Sequence, residues 1–375
     1  LLFTNSVALG GMEEHVELIA RHLDRRRFEV FAVCPEWQAT RPFSRALAET
    51  AEHFALITPD RRHGVPRLAS ETAKLARQMR KWRIDVMHMH STTYRGQYYA
   101  LLAARLAGVK RIFVTEHLAP EARLPEGERL LRNTFSQLVT GIVCVSKKNY
   151  EARAKYLHTP RSRTIVVNNG VDLDDFPPIP EGTLEELRAS IGITRDSEVV
   201  GTAVRFEPEK GLEYLIDAMP AILSARPRAV FLMVGDGSLR KALEAHVARL
   251  GLSGAVRFVG FQSDPRPYLA LMDAFVLPVP VGSMSIGLLE AMAMERAAVI
   301  TFGGEGEAII HGESGFAAEP RNPASIAKYV IQILENPELK ARLGGAARRR
   351  VEEEFSAQRV ARSLGELYAG TLLQP

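Results

Sequence analysis

Val199-Val200-Gly201-Thr202-Ala203-Val204 runs directly into Arg205-Phe206-Glu207-Pro208-Glu209-Lys210-Gly211. The first six residues read as a buried strand, the next seven as a turn carrying two cations, and 211–223 as a helix with an apolar stripe. Strand, tight turn and helix together make the repeating unit of a doubly wound α/β domain. Downstream, strand candidates at 229–234, 256–259, 274–277 and 298–302 alternate with helical stretches such as 238–250. Upstream the same alternation appears, with strand candidates at 1–4, 28–33, 85–90, 111–115, 141–146 and 164–167. Between the first two of these, Met12, Val16, Ile19, Ala20 and Leu23 recur at helical spacing, which gives a helix with one buried face. Phe176-Pro177-Pro178-Ile179-Pro180-Glu181-Gly182 interrupts both periodicities and reads as a linker. The predicted fold class is α/β, with two doubly wound Rossmann-like domains at 1–178 and 179–356 and a final amphipathic helix within 357–375.

Two domains also suit the length, since 375 residues exceed what one core usually serves. The chain is 46% hydrophobic and 25% charged, with no low-complexity tract, so disorder is excluded. Its formal charge of +4 is mild and the basic residues are interleaved with acids, which excludes bulk nucleic-acid binding. Cys34 and Cys144 are the only cysteines and sit in separate apolar runs, so no disulfide framework or cysteine metal site is expected. No run of eighteen apolar residues occurs and the start lacks a signal-peptide pattern, which leads to the expectation of a cytoplasmic protein.

Open parallel sheets bind ligands at the carboxyl ends of their strands, so the residues just after each strand carry the functional expectations. Gly10-Gly11 runs straight from a strand into a helix, where bare backbone and free N–H groups suit a phosphate. A tight strand-to-helix turn explains the same pair. Arg205 and Lys210 flank one turn and can converge on a diphosphate leaving group, whose developing charge needs cationic partners. Ion pairs with Glu207 or Glu209 are the alternative. In Gly282-Ser283-Met284-Ser285-Ile286, either serine can cap the next helix, and Glu290 lies one turn inside it. A carboxylate there can accept hydrogen bonds from the two hydroxyls of a ribose, or merely serve the helix dipole.

In this order and spacing the pieces resemble glycosyltransferase family 4, the retaining enzymes of the GT-B fold, over almost the whole chain. The resemblance rests on Gly10-Gly11-Met12-Glu13, Thr115-Glu116-His117, Ser146, Asn169-Gly170-Val171-Asp172, Arg205 with Lys210-Gly211, Gly235-Asp236-Gly237, Phe258-Val259-Gly260, Leu289-Glu290-Ala291-Met292, and Gly303-Gly304 followed by Glu307. It implies two domains facing a central cleft, with the last helix returning to the first domain. It implies a sugar-nucleotide donor, UDP-sugar ahead of GDP-sugar, and no metal or other cofactor. Arg205 and Lys210 would hold the diphosphate, Glu290 the ribose, Gly11 the phosphates and His117 the transferred sugar. Gly235, Phe261, Gly282, Ser283, Met284, Ser285 and Ile286 would complete the donor site. The acceptor would be a hydroxyl in cell-envelope, polysaccharide or glycoconjugate synthesis, with a lipid-linked acceptor and peripheral contact with the inner face of the membrane among the expectations. The family's first glutamate of a pair falls at position 282, which here is Gly282, and Glu295 and Ala297 replace its usual glycine and proline. A sugar-nucleotide-binding protein with little turnover, or a sugar-nucleotide epimerase, are the rival readings.

Three further signals are set aside. Asp172-Leu173-Asp174 matches an Asp-x-Asp metal pattern, yet comes after an Asn-Gly turn where capping explains both aspartates. His88 and His90 alternate on one strand face without an evident third ligand. The basic stretch 74–83, with Trp82, could lie on an anionic membrane, but the alternation requires a sheet-covering helix there.

Overall fold

A computed structural model of the chain describes residues 1–6, 9–57, 64–91, 98–118, 120, 122–157, 161–280, 284–301 and 307–371, with the backbone alone at 64–66. The chain forms two compact units. The N-terminal unit comprises Leu1–Asn169 together with Ala357–Pro375, and the C-terminal unit comprises Gly170–Ser356. The division falls before the proline-rich stretch read from sequence as the linker. The physical reason is burial: Phe176 and Val171 lie in the C-terminal unit's core, and Pro180 opens the Glu181–Ile191 helix of that unit.

In the N-terminal unit the strands are β1 (Leu2–Thr4), β2 (Phe31–Pro35), β3 (His53–Ile57), β4 (Val86–Ser91), β5 (Arg111–Glu116), β6 (Gly141–Cys144) and β7 (Thr164–Val166). They pair in the order β3-β2-β1-β4-β5-β6-β7, every neighbour parallel. The C-terminal unit holds β8 (Glu198–Ala203), β9 (Ala229–Val234), β10 (Val256–Gly260), β11 (Ala274–Leu277), β12 (Ala297–Thr301) and β13 (Phe316–Ala318). Their order is β10-β9-β8-β11-β12-β13, again all parallel.

Helices on both faces bury both faces of such a sheet, and strand residues then alternate between two cores. On β9, Phe231 and Met233 enter one core while Leu232 and Val234 enter the other. On β11, Ala274 and Val276 pair with the first of these cores, Phe275 and Leu277 with the second. In each sheet the order reverses direction once, between β1 and β4 and between β8 and β11. Those two switch points are where crossover loops part and leave a crevice at the strands' carboxyl ends. The final helix, Ala357–Ala369, places Ala357, Val360, Leu364, Leu367 and Tyr368 against Val16, Ile19 and Leu23 of the Gly11–His22 helix and its end. That spacing is one helical stripe meeting another.

Candidate active site

At the switch point of the C-terminal unit, β8 ends at Ala203 and the chain turns through Arg205 into the short helix Pro208–Lys210. Arg205 is exposed, and Glu209 faces it at 3.6 Å across solvent. Such a pair is worth about 1 kcal/mol at most. Glu207 is engaged elsewhere: its carboxylate accepts hydrogen bonds from the Ser238 hydroxyl at 2.5 Å and the Ser238 amide at 3.1 Å. These bonds, ahead of the Arg205 charge, hold its carboxyl below the usual range. The guanidinium is thus weakly committed to its own neighbours. Lys210 is half-buried at the other end of the same turn.

Close backbone approach builds the floor of this edge. Gly235 comes directly after β9 with φ 132°, and a side chain there would strike the carbonyl of Val204. Its amide donates to the Gly260 carbonyl at 2.8 Å, while the Phe206 amide donates to the Asp236 carbonyl at 2.8 Å. The loops after β8, β9 and β10 are therefore laced together. Phe261, next after β10, is 63% exposed at this edge. A large apolar ring in solvent offers a planar face to a ligand base.

Beyond β11, the Ile286–Ala293 helix begins against the end of β8: a Cβ on Gly287 would lie 2.5 Å from the Ala203 carbonyl oxygen. The first amides of a helix have no acceptor within it and carry its positive dipole end, so this start suits an anion. Met284 and Ile286 are buried at the helix start. Ser285 occupies the N-cap position in extended backbone and its side chain makes no cap hydrogen bond; Ser283, the other capping candidate, is not among the described residues. Glu290 is half-buried one turn in. Its charge reaches Arg266, whose guanidinium is held chiefly by Asp264. Gly282 and Ser283, like Gly303 and Gly304, lie outside the described residues.

The switch point of the N-terminal unit has a different lining. Gly10 and Gly11 open the Gly11–His22 helix, whose His15 is fully buried beneath that turn. Four imidazoles gather there: His15, His88 and His90 of β4, and His117 just after β5. His88 is held from both sides, by Tyr368 Oη at 2.5 Å on Nδ1 and Thr115 Oγ1 at 2.7 Å on Nε2. His90 Nδ1 lies 3.3 Å from His117 Nε2. Burial lowers the pKa of all four, to about 4 for His15, and the neighbouring imidazoles lower the other three further. Beside them the Glu116 carboxylate pairs with Arg153 and, at 3.2 Å, with Arg132. Burial alone would raise its carboxyl; the two arginines outweigh that and lower it.

The sequence singled out His88, His90 and His117 but not His15, Arg132 or Arg153. Their meeting depends on β1 pairing with β4 and β4 with β5, which no local motif announces. Asp172 caps a turn, accepting from the Asp174 amide at 3.3 Å. Among the described residues, no group of three or more His, Cys, Asp or Glu is disposed to hold a metal. Trp82 packs on Phe31, with ring centroids 5.3 Å apart.

The sequence of 9–175 matches the model of Glycosyltransferase Family 4, and 184–350 that of Glycosyl transferases group 1. The chain is 25% identical to the UDP-Gal:alpha-D-GlcNAc-diphosphoundecaprenol alpha-1,3-galactosyltransferase of Escherichia coli, over 84% of its own length and 82% of that protein's. It is 26% identical to the glycogen synthase of Mycobacterium tuberculosis H37Rv, over 96% of its length and 91% of that protein's. Anabaena HepE, solved in complex with UDP and glucose, superposes with a TM-score of 0.84 at 21% identity, over 98% of this chain and 99% of that one. With two doubly wound parallel sheets and both halves matched by glycosyltransferase models, the chain belongs to glycosyltransferase family 4 and is a glycosyltransferase of the GT-B fold.

Proposed function

We propose that the protein transfers a sugar, with retention of anomeric configuration, from a nucleoside-diphosphate sugar to an acceptor hydroxyl without a metal ion. The observation that carries this is the switch-point edge of the C-terminal unit. There an exposed, weakly paired Arg205 comes after β8 and a helix starts against the end of that strand. Arg205 and Lys210 take the diphosphate and stabilise the charge that develops as the glycosidic bond breaks, with the helix start adding dipole stabilisation. Glu290 accepts from the ribose hydroxyls, and Phe261 and Gly235 border the base. Gly11 serves the phosphates and His117 hydrogen-bonds the sugar's hydroxyls. The acceptor attacks the face that the diphosphate leaves, and the departing phosphate takes its proton, so no protein nucleophile is needed.

UDP-sugars are favoured as donors, supported by the UDP bound to HepE. A lipid-linked acceptor in cell-envelope synthesis, met at the cytoplasmic face of a membrane, is supported by the name of the Escherichia coli relative. No helix among the described residues is long and apolar enough to cross a membrane, so that meeting would be peripheral. Gly282 motivates a second reading, a sugar-nucleotide-binding protein with little turnover. The test is incubation with a panel of UDP-, GDP- and ADP-sugars in EDTA, following nucleotide release and product anomeric configuration by NMR. Release of nucleotide with a retained anomeric centre is expected. A strict manganese requirement, or an inverted product, contradicts the mechanism, and binding without release selects the second reading.

A further inference from the structure

We propose that His90 is a positioning residue for His117, a role that rests on His117 being the contact to the transferred sugar. The Nδ1–H of His90 donates to His117 Nε2, which fixes the ring and places the proton of His117 on Nδ1. The two nitrogens are 3.3 Å apart, and both side chains are buried. A neutral imidazole carries one N–H and one lone pair, so the bond one nitrogen makes decides what the other offers.

The surroundings of His90 set the direction of the bond. Its Nε2 is buried and has no hydrogen-bond partner among the described residues. Neither neighbouring imidazole bonds to it. His88, with its ring centroid 4.1 Å away, has its nitrogens at Tyr368 and Thr115. His15, at 5.7 Å, makes no hydrogen bond to a described residue through either nitrogen. If His117 were the donor, the proton of His90 would sit on that Nε2 as a buried N–H with no acceptor, the costliest kind of orphan. With His90 as donor, only a bare ring nitrogen is left there. The same neutral state serves both rings, since each is buried and faces other imidazoles. His117 then presents an N–H from Nδ1, a donor suited to a hydroxyl oxygen of a sugar. Its ring is further confined by His15, edge-on with centroids 5.2 Å apart.

The experiment uses the full chain carrying ring-labelled ¹⁵N histidine, at pH 7 and without ligand. Two-bond proton–nitrogen correlations identify which nitrogen of each of the ten histidines is protonated, and His117→Gln assigns the signal of His117. The wild type should show His117 protonated on Nδ1. His90→Asn keeps an amide at the Nδ1 position and should preserve that state. His90→Leu, and His90→Gln with its amide at the Nε2 position, should lose it, with far-UV circular dichroism confirming that each variant is folded. UDP release from UDP-glucose should fall about tenfold or more in the Leu and Gln variants, the usual size of such outer-shell effects, and recover in the Asn variant. A wild-type His117 protonated on Nε2, or an unchanged state in folded His90→Leu, overturns the proposal. Because the protonation pattern is read without any sugar nucleotide, a wild type that turned none over would overturn the functional reading and still leave the pattern to decide this one.

Discussion

The two sheet edges share a topology and differ in chemistry. At the switch point of the C-terminal unit the ionisable groups face solvent: Arg205 and Glu209 are 56% and 39% exposed in their side chains. At that of the N-terminal unit they are hidden, with His15 and His90 wholly buried and His88 nearly so. A parallel fold fixes where a ligand sits, and the residues just beyond the strands decide what the edge can do. One edge keeps its charge solvated. The other removes charge by burying imidazoles in their neutral form.

The largest consequence is acid sensitivity confined to the N-terminal unit. All four clustered histidines have pKa values lowered below 6.5. The unfolded chain therefore binds protons that the folded unit refuses, and the stability present above pH 6.5 is lost as pH falls. For His15 the loss continues to about pH 4. Glu14 of the same unit, its carboxyl raised to about 7 chiefly by desolvation, offsets one of the four, and the net cost is on the order of 4 kcal/mol per pH unit, close to the whole stability of a domain. Trp37 and Trp82, the only tryptophans, both lie in the N-terminal unit. Between pH 6.5 and 4 tryptophan emission should change before most of the far-UV ellipticity is lost; coincident transitions would erase the contrast between the units.

The next effect belongs to the exposed edge. Arg205→Ala and Lys210→Ala should each lower turnover by about 10²–10³, the scale of losing a group that stabilises developing charge. Urea midpoints should stay unchanged for Arg205→Ala, because its ion pair is solvated. A smaller effect tests the backbone beneath. Gly287→Ala gains up to about 1 kcal/mol of helix propensity, but its Cβ would stand 2.5 Å from the Ala203 carbonyl oxygen. Overpacking of about 1–3 kcal/mol should win, lowering the melting temperature by a few degrees, and a stabilised variant would show the helix start is free to shift. Smallest is Glu290→Ala, expected to raise KM about tenfold with kcat nearly kept, as for uniform binding.

Much of the fold was legible where strands are buried on both faces. The runs at 229–234 and 274–277 coincide with β9 and β11 because nothing polar blurs their ends. The run at 28–33 became Phe31–Pro35, since the Phe28 amide closes a turn onto the Asp24 carbonyl. Two of the four edge strands escaped detection: β3 is partly exposed along its whole length, and β13 has three residues. At the sites, Arg205 and Lys210 could be read from one local turn. The histidine cluster could not, because Tyr368 reaches His88 across 280 residues of sequence and His15 arrives from a separate helix. Long-range pairing assembles that edge, and local periodicity is blind to it.

The central claim is that the switch point of the C-terminal unit binds a nucleoside diphosphate through Arg205 and Lys210. Titration calorimetry of UDP into wild-type protein and into the Arg205→Ala, Lys210→Ala double variant, both in EDTA, tests it most directly. Metal-free binding to the wild type, weakened at least tenfold in a double variant whose unfolding midpoint still shows an intact fold, is the predicted result. Equal affinity in the two proteins, or binding only when manganese is restored, would contradict it.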